Sequence, residues 1–103
     1  MSDVPTIIIN NEEEEENLLF NNRYRIHKEI VKNIKTAFEN NIESITLFNI
    51  INNLRGYTMI LMVDKKNWDE SLEKCLNYFI SEEEYELCEE TRELRQKIKN
   101  GDI

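Results

Sequence analysis

The sequence predicts a small α+β protein, and three observations carry that prediction. Apolar residues recur at helical spacing over residues 23–40. Two apolar runs flank an Asn- and Gly-containing link within residues 44–63, and two further amphipathic stretches over residues 69–99 fold back on each other near Ser81. The expected order is an N-terminal helix, a short β-hairpin and a C-terminal antiparallel helical hairpin. Residues 1–22 precede these as a flexible acidic tail, and residues 23–103 form a single small interaction domain.

The tail assignment rests on charge. Glu12 to Glu16 is an unbroken acidic block, which repels itself and favours solvation. The β-branched run Thr6-Ile7-Ile8-Ile9 is the exception, because such a run can add as a strand to an open sheet edge.

Residues 23–40 carry Ile26, Ile30, Ile34 and Phe38 every four residues, with Val31 and Ala37 widening the stripe. Arg25, Lys28, Lys32 and Lys35 fall along another face of the same helix. Asn40-Asn41 is its expected stop, since Asn tolerates the left-handed conformation that ends helices. Ile45, Leu47 and Phe48 then lead to Asn52-Asn53-Leu54-Arg55-Gly56, and Tyr57 to Val63 is apolar again, the pattern of a hairpin; the competing reading is a helix over residues 45–54, since Phe48, Ile51 and Leu54 also fit helical spacing. Two strands alone are marginal in water. They therefore need helices against them, and a third strand from Ile7–Ile9 or from a second subunit.

In the C-terminal third, Asp69 is the expected cap of a helix whose stripe is Leu72, Leu76, Phe79 and Ile80. Ser81 with Glu84 reads as a capping box that restarts the chain, and the second stripe is Tyr85, Cys88, Leu94 and Ile98. Acidic residues at the start of that helix and Arg95, Lys97 and Lys99 near its end complement the helix dipole.

Composition narrows the function. The 103 residues include 21 Asp and Glu against 13 Lys and Arg, a net charge of -8. That balance disfavours direct binding to a nucleic-acid backbone and favours a basic surface on another protein. Asn, Ile, Lys and Glu are abundant, the style of an AT-rich bacterial or phage genome. A signal peptide and a membrane-length apolar run are not seen, so the expected compartment is the cytoplasm and no membrane partner is expected. Cys75 and Cys88 lie at equal distance from the turn and read as small core thiols. With only His27 beside them they cannot complete a four-ligand zinc site. His27 has no Ser, Cys or Asp near it in sequence that would make a catalytic set, and Gly56 stands alone where a phosphate loop would need several glycines. No cofactor, no metal and no enzymatic activity are expected.

Glu84-Tyr85-Glu86-Leu87-Cys88, followed by Arg92, resembles the UVR motif, the short helical hairpin of bacterial excision-repair proteins and some protease-adaptor proteins. The resemblance covers about thirty residues. Cys88 stands where that family usually has Ala, and Thr91 where it prefers an aliphatic residue. In the family the hairpin pairs with a similar hairpin on another chain, so the resemblance implies association rather than catalysis. The expected function is that of a non-enzymatic adaptor or accessory protein which binds another protein through its helical hairpin. A second copy of the chain is a further candidate partner. Trp68, Phe79, Tyr85 and Arg92 are the expected partner-binding residues, since aromatics and Arg dominate interface energetics. The alternative is an acidic inhibitor that mimics nucleic acid and occupies a basic groove on a target protein.

Overall fold

The run Thr6–Ile9 alternates in burial, with Ile7 and Ile9 turned into the core and Ile8 turned out. In the computed structural model, which describes residues 4–101, this run is strand β1 (Thr6–Ile9). It pairs parallel to β2 (Ser44–Asn52), with Ile7 beside Ile50 and Ile9 beside Asn52. On its other side β2 pairs antiparallel with β3 (Tyr57–Asp64), giving a mixed three-stranded sheet in the order β1-β2-β3. The expected hairpin is present, and the N-terminal run supplies its third strand.

Parallel strands need a crossover, and here it is helical: α1 (Glu12–Glu16), α2 (Leu18–Asn21) and α3 (Arg23–Glu39). The flexible-tail expectation is therefore corrected. The glutamate block forms a helical turn because Asn11 caps it, its side chain accepting from the Glu14 N–H at 2.8 Å. The Glu14 carboxylate in turn accepts from the Asn10 N–H at 3.0 Å. Four acidic side chains in the first turn also meet the positive end of the helix.

Helix α3 buries Ile26, Val31, Ile34 and Ala37 and ends at Asn40, as its pattern predicts. Asn41 adopts a left-handed φ of 55°, and the Ile42 N–H donates to the Ala37 carbonyl at 2.9 Å, which closes a Schellman stop. In β2 the register shifts between Thr46 and Phe48. This bulge lets Leu47 and Phe48, adjacent in sequence, both be buried.

After a 3-10 turn at Lys65–Asn67 come α4 (Trp68–Ser81) and α5 (Tyr85–Asn100), the C-terminal helical pair. Their junction differs from the expected capping box. Glu83 takes a left-handed φ of 57° and the Glu84 N–H reaches back to the Phe79 carbonyl, a second Schellman stop. The Ser81 hydroxyl donates instead to the Tyr78 carbonyl at 2.6 Å. Asp69 does not cap α4, whose N-cap is Asn67; it accepts from Arg95 of α5 at 3.0 and 3.2 Å and ties the two helices together.

One core joins the layers. Ile7, Ile9, Phe48 and Ile50 from the sheet meet Ile34 and Ala37 of α3, Trp68, Leu72, Cys75 and Phe79 of α4, and Cys88 and Leu94 of α5. Both cysteines are free and buried. Two of the expected partner-binding residues are thereby reassigned. Trp68 and Phe79 are fully buried and hold the core, because each falls on the buried stripe of α4, which packs against α3 and α5.

Candidate docking site

The helical layer leaves two apolar surfaces open, and each follows from how the elements share the core. The first lies between α3 and α5. These helices pack more closely on α4 than on each other, and a groove of about 430 Å³ lies between them. Its floor is Val31 and Phe38 of α3 with Leu87 and Leu94 of α5. The α3 wall carries Lys28, Lys32 and Lys35 together with Glu29 and Glu39, and the α5 wall carries Glu90 and Glu93 together with Lys97. The basic face of α3 thus looks across at acidic residues of its own fold. Among the described residues, however, no ion pair links those lysines to those glutamates. The charges stand apart, with an apolar strip between them.

The second surface is β3. Register with β2 puts Tyr57, Met59 and Leu61 on the helix side of the sheet, opposite Asn52, Ile50 and Phe48. Thr58, Ile60 and Met62 face the other side. Helix α3 packs over β2, and among the described elements β3 has substantial contact only with β2. As a result all five large apolar residues from Tyr57 to Met62 are exposed, Ile60 at 61% and Met62 at 54%. Val63 alone in the strand is buried. The sequence shows an unbroken apolar run here, which reads as a strand buried on both faces; nothing local signals that its cover stops one strand short.

Tyr85 and Arg92 belong to neither surface. Tyr85 is the first residue of α5 and is 71% exposed, against the expectation that its stripe is core. Arg92 lies seven residues on, along the same solvent face, with its guanidinium 3.9 Å from Glu89. The real stripe of α5 is Cys88, Thr91, Leu94 and Ile98, and the buried Thr91 hydroxyl is satisfied by the Leu87 carbonyl at 2.7 Å.

The groups that carry chemistry elsewhere have structural partners here. The His27 ring stacks on Tyr78 at 4.1 Å, and its Nδ1 lies 2.6 Å from the Arg23 carbonyl. Burial pushes the Cys75 thiol up to about 12, so its nucleophilic thiolate is scarce at neutral pH. Among the described residues no group of three or more His, Cys, Asp or Glu is gathered to hold a metal ion, and no helix is long and apolar enough to cross a membrane. No protein-family model, curated protein or solved structure matches the chain.

Proposed function

We propose that this is a non-enzymatic adaptor or accessory protein that binds another protein, taking an amphipathic helix of that partner into the groove between α3 and α5. The observation that carries the reading is the apolar floor between an α3 wall of three lysines and two glutamates and an α5 wall of two glutamates and one lysine, a small excess of opposite charge on the two sides. Such a groove fits a helix whose apolar stripe is flanked by acidic residues on one side and basic residues on the other. The lining runs about ten residues along each helix, so the occupant is about 15 Å long, or roughly three turns. The resemblance to the UVR hairpin supports the same class of function, although of its matching residues only Leu87 lines this groove.

One observation favours the acidic-mimic alternative. Glu82, Glu83, Glu86, Glu89, Glu90 and Glu93 are all exposed on or just before α5. The two readings separate by experiment. The full chain immobilised as bait should retain a host protein that a Leu87→Glu variant, checked for native circular dichroism, does not. Under the mimic reading, retention survives Leu87→Glu, collapses when Glu86, Glu89 and Glu93 are changed to Gln, and falls steeply with salt.

A further inference from the structure

We infer that β3 is the pairing edge of a two-fold dimer, in which a second copy of this chain continues the sheet to six strands. This rests on the exposed strand and is independent of the α3–α5 groove, which contains no residue of β3.

The two edges of the sheet differ. The β1 edge is four residues long, follows Pro5 and is flanked by α1 and α2. Short strands, proline and covering elements are the usual means of blocking an edge. The β3 edge is eight residues long and has none of these protections. From Tyr57 to Val63 it has no charge and no proline. Its apolar side chains are exposed on both faces, so a pairing strand alone would leave much of them wet. A second copy brings its own Tyr57, Met59 and Leu61 alongside on one face, and its own Ile60 and Met62 on the other. Cross-strand neighbours of this kind are the unit of sheet stabilisation.

Backbone parity fixes the geometry. The Lys65 N–H donates to the Glu43 carbonyl at 2.7 Å. Odd-numbered residues of β3 therefore direct their backbone groups toward β2, and Thr58, Ile60 and Met62 direct theirs to the free edge. Antiparallel pairing within one sheet must match like faces, so the two-fold passes through a residue and not between two. Centred on Ile60, it sets Ile60 against Ile60, Met59 against Leu61 and Thr58 against Met62. It also brings Asp64 of each copy to the end of the other strand, beside the loop that carries Arg55, whose side chain is 53% exposed. Arg55 already pairs with Glu15, and its half-exposed guanidinium is the positive group nearest Asp64 of the other copy at each end of an otherwise uncharged strand. The overall charge of -8 opposes association, but it is carried mainly outside this strand.

The test uses the full chain. Light scattering after size exclusion should give the mass of two chains at high micromolar concentration. Replacing both Ile60 and Met62 with Lys should give one chain with unchanged circular dichroism, since both side chains are exposed. Ile60→Cys should cross-link under mild oxidation into a covalent dimer, because the two-fold makes it its own neighbour. A monomeric native protein overturns the proposal. So does a dimer that persists in the double Lys variant, and a dimer in which Ile60→Cys fails to cross-link overturns the Ile60-centred pairing. A monomer whose β3 amides become protected from hydrogen exchange only on adding another protein would give the edge to that protein.

Discussion

Glu15 and Arg55, forty residues apart, form a forked ion pair: Nη2 lies 2.9 Å from Oε1, and Nε lies 3.3 and 3.2 Å from the two carboxylate oxygens. The same carboxylate accepts from the buried Asn52 amide at 2.7 Å, and the Asn52 oxygen accepts from the Arg55 backbone N–H at 2.9 Å. One residue of the glutamate block thereby holds α1 against the β2–β3 loop.

Glu15→Ala should loosen α1 and that loop together. The expected readout is faster amide exchange over residues 12–16 and 52–56 with little change in the rest of the sheet. Asn52→Ala should cost more, because it empties a fully buried side-chain site and removes the hydrogen bonds to both the Glu15 carboxylate and the Arg55 N–H, each worth about 0.5–1.5 kcal/mol. Equal exchange in Glu15→Ala and the parent would show that α1 is held by other contacts.

The N-terminal segment should be required for stability. Removing residues 1–10 strips Ile7 and Ile9 from the core and leaves Ile50 of β2 without its parallel neighbour. Burying an isoleucine is worth about 1.5–3 kcal/mol, so the loss is about 3–6 kcal/mol in a domain whose whole stability is on the order of 5–15 kcal/mol. Urea denaturation of the shortened chain should show a much lower midpoint or no cooperative transition. An unchanged midpoint would return this segment to the role of a tail.

The elements that were legible in the sequence are those whose signals are local. The stripe of α3, the Asn41 stop and the turn before β3 all appear within a few residues of one another. What was hidden depends on distant partners. Glu12 to Glu16 reads as a solvated block because the Arg55 and Asn52 that receive Glu15 lie about forty residues away. Ser81 and Glu84 satisfy the capping-box spacing, yet the left-handed turn residue is Glu83 and α5 begins only at Tyr85. That shift turns Tyr85 out of the core. The exposure of β3 was illegible for a third reason: an apolar run records that a strand needs cover but not which layer, or which chain, supplies it.

Stability should fall as the protein is acidified. The hydrogen-bonded Arg55 guanidinium holds the Glu15 carboxyl below its ordinary value, and Arg95 does the same for Asp69. A carboxyl whose folded pKa is depressed binds its proton more readily in the unfolded chain. Its contribution is therefore complete above the ordinary carboxylate range of about 4 and is lost as pH falls through the lower folded value. Thermal midpoints should be level near neutrality and drop below about pH 4. The double change Glu15→Gln with Asp69→Asn should start lower and fall less steeply. A parent and variant with parallel acid profiles would assign the loss to other carboxylates.

The aromatic residues around the α4–α5 turn should divide sharply between core and surface. Phe79 is completely buried, with the rings of His27 and Tyr78 edge-on to it, whereas Tyr85, six residues later, is largely in solvent. Phe79→Ala should cost about 3–5 kcal/mol, the range for emptying a buried aromatic site. Tyr85→Ala should melt within about 0.5 kcal/mol of the parent, as exposed substitutions do. Trp68 offers a finer test, because its indole N–H is buried with no hydrogen-bond partner among the described residues. Leaving a buried donor unmatched costs about 1–3 kcal/mol, so Trp68→Phe, which removes the donor and keeps a ring, should cost far less than Trp68→Ala. Guanidinium denaturation of the four variants reads all of this at once. A Tyr85→Ala midpoint as low as that of Phe79→Ala would place the tyrosine in the core and move the turn back to Ser81. A native midpoint with a lost partner would instead make Tyr85 part of the binding surface.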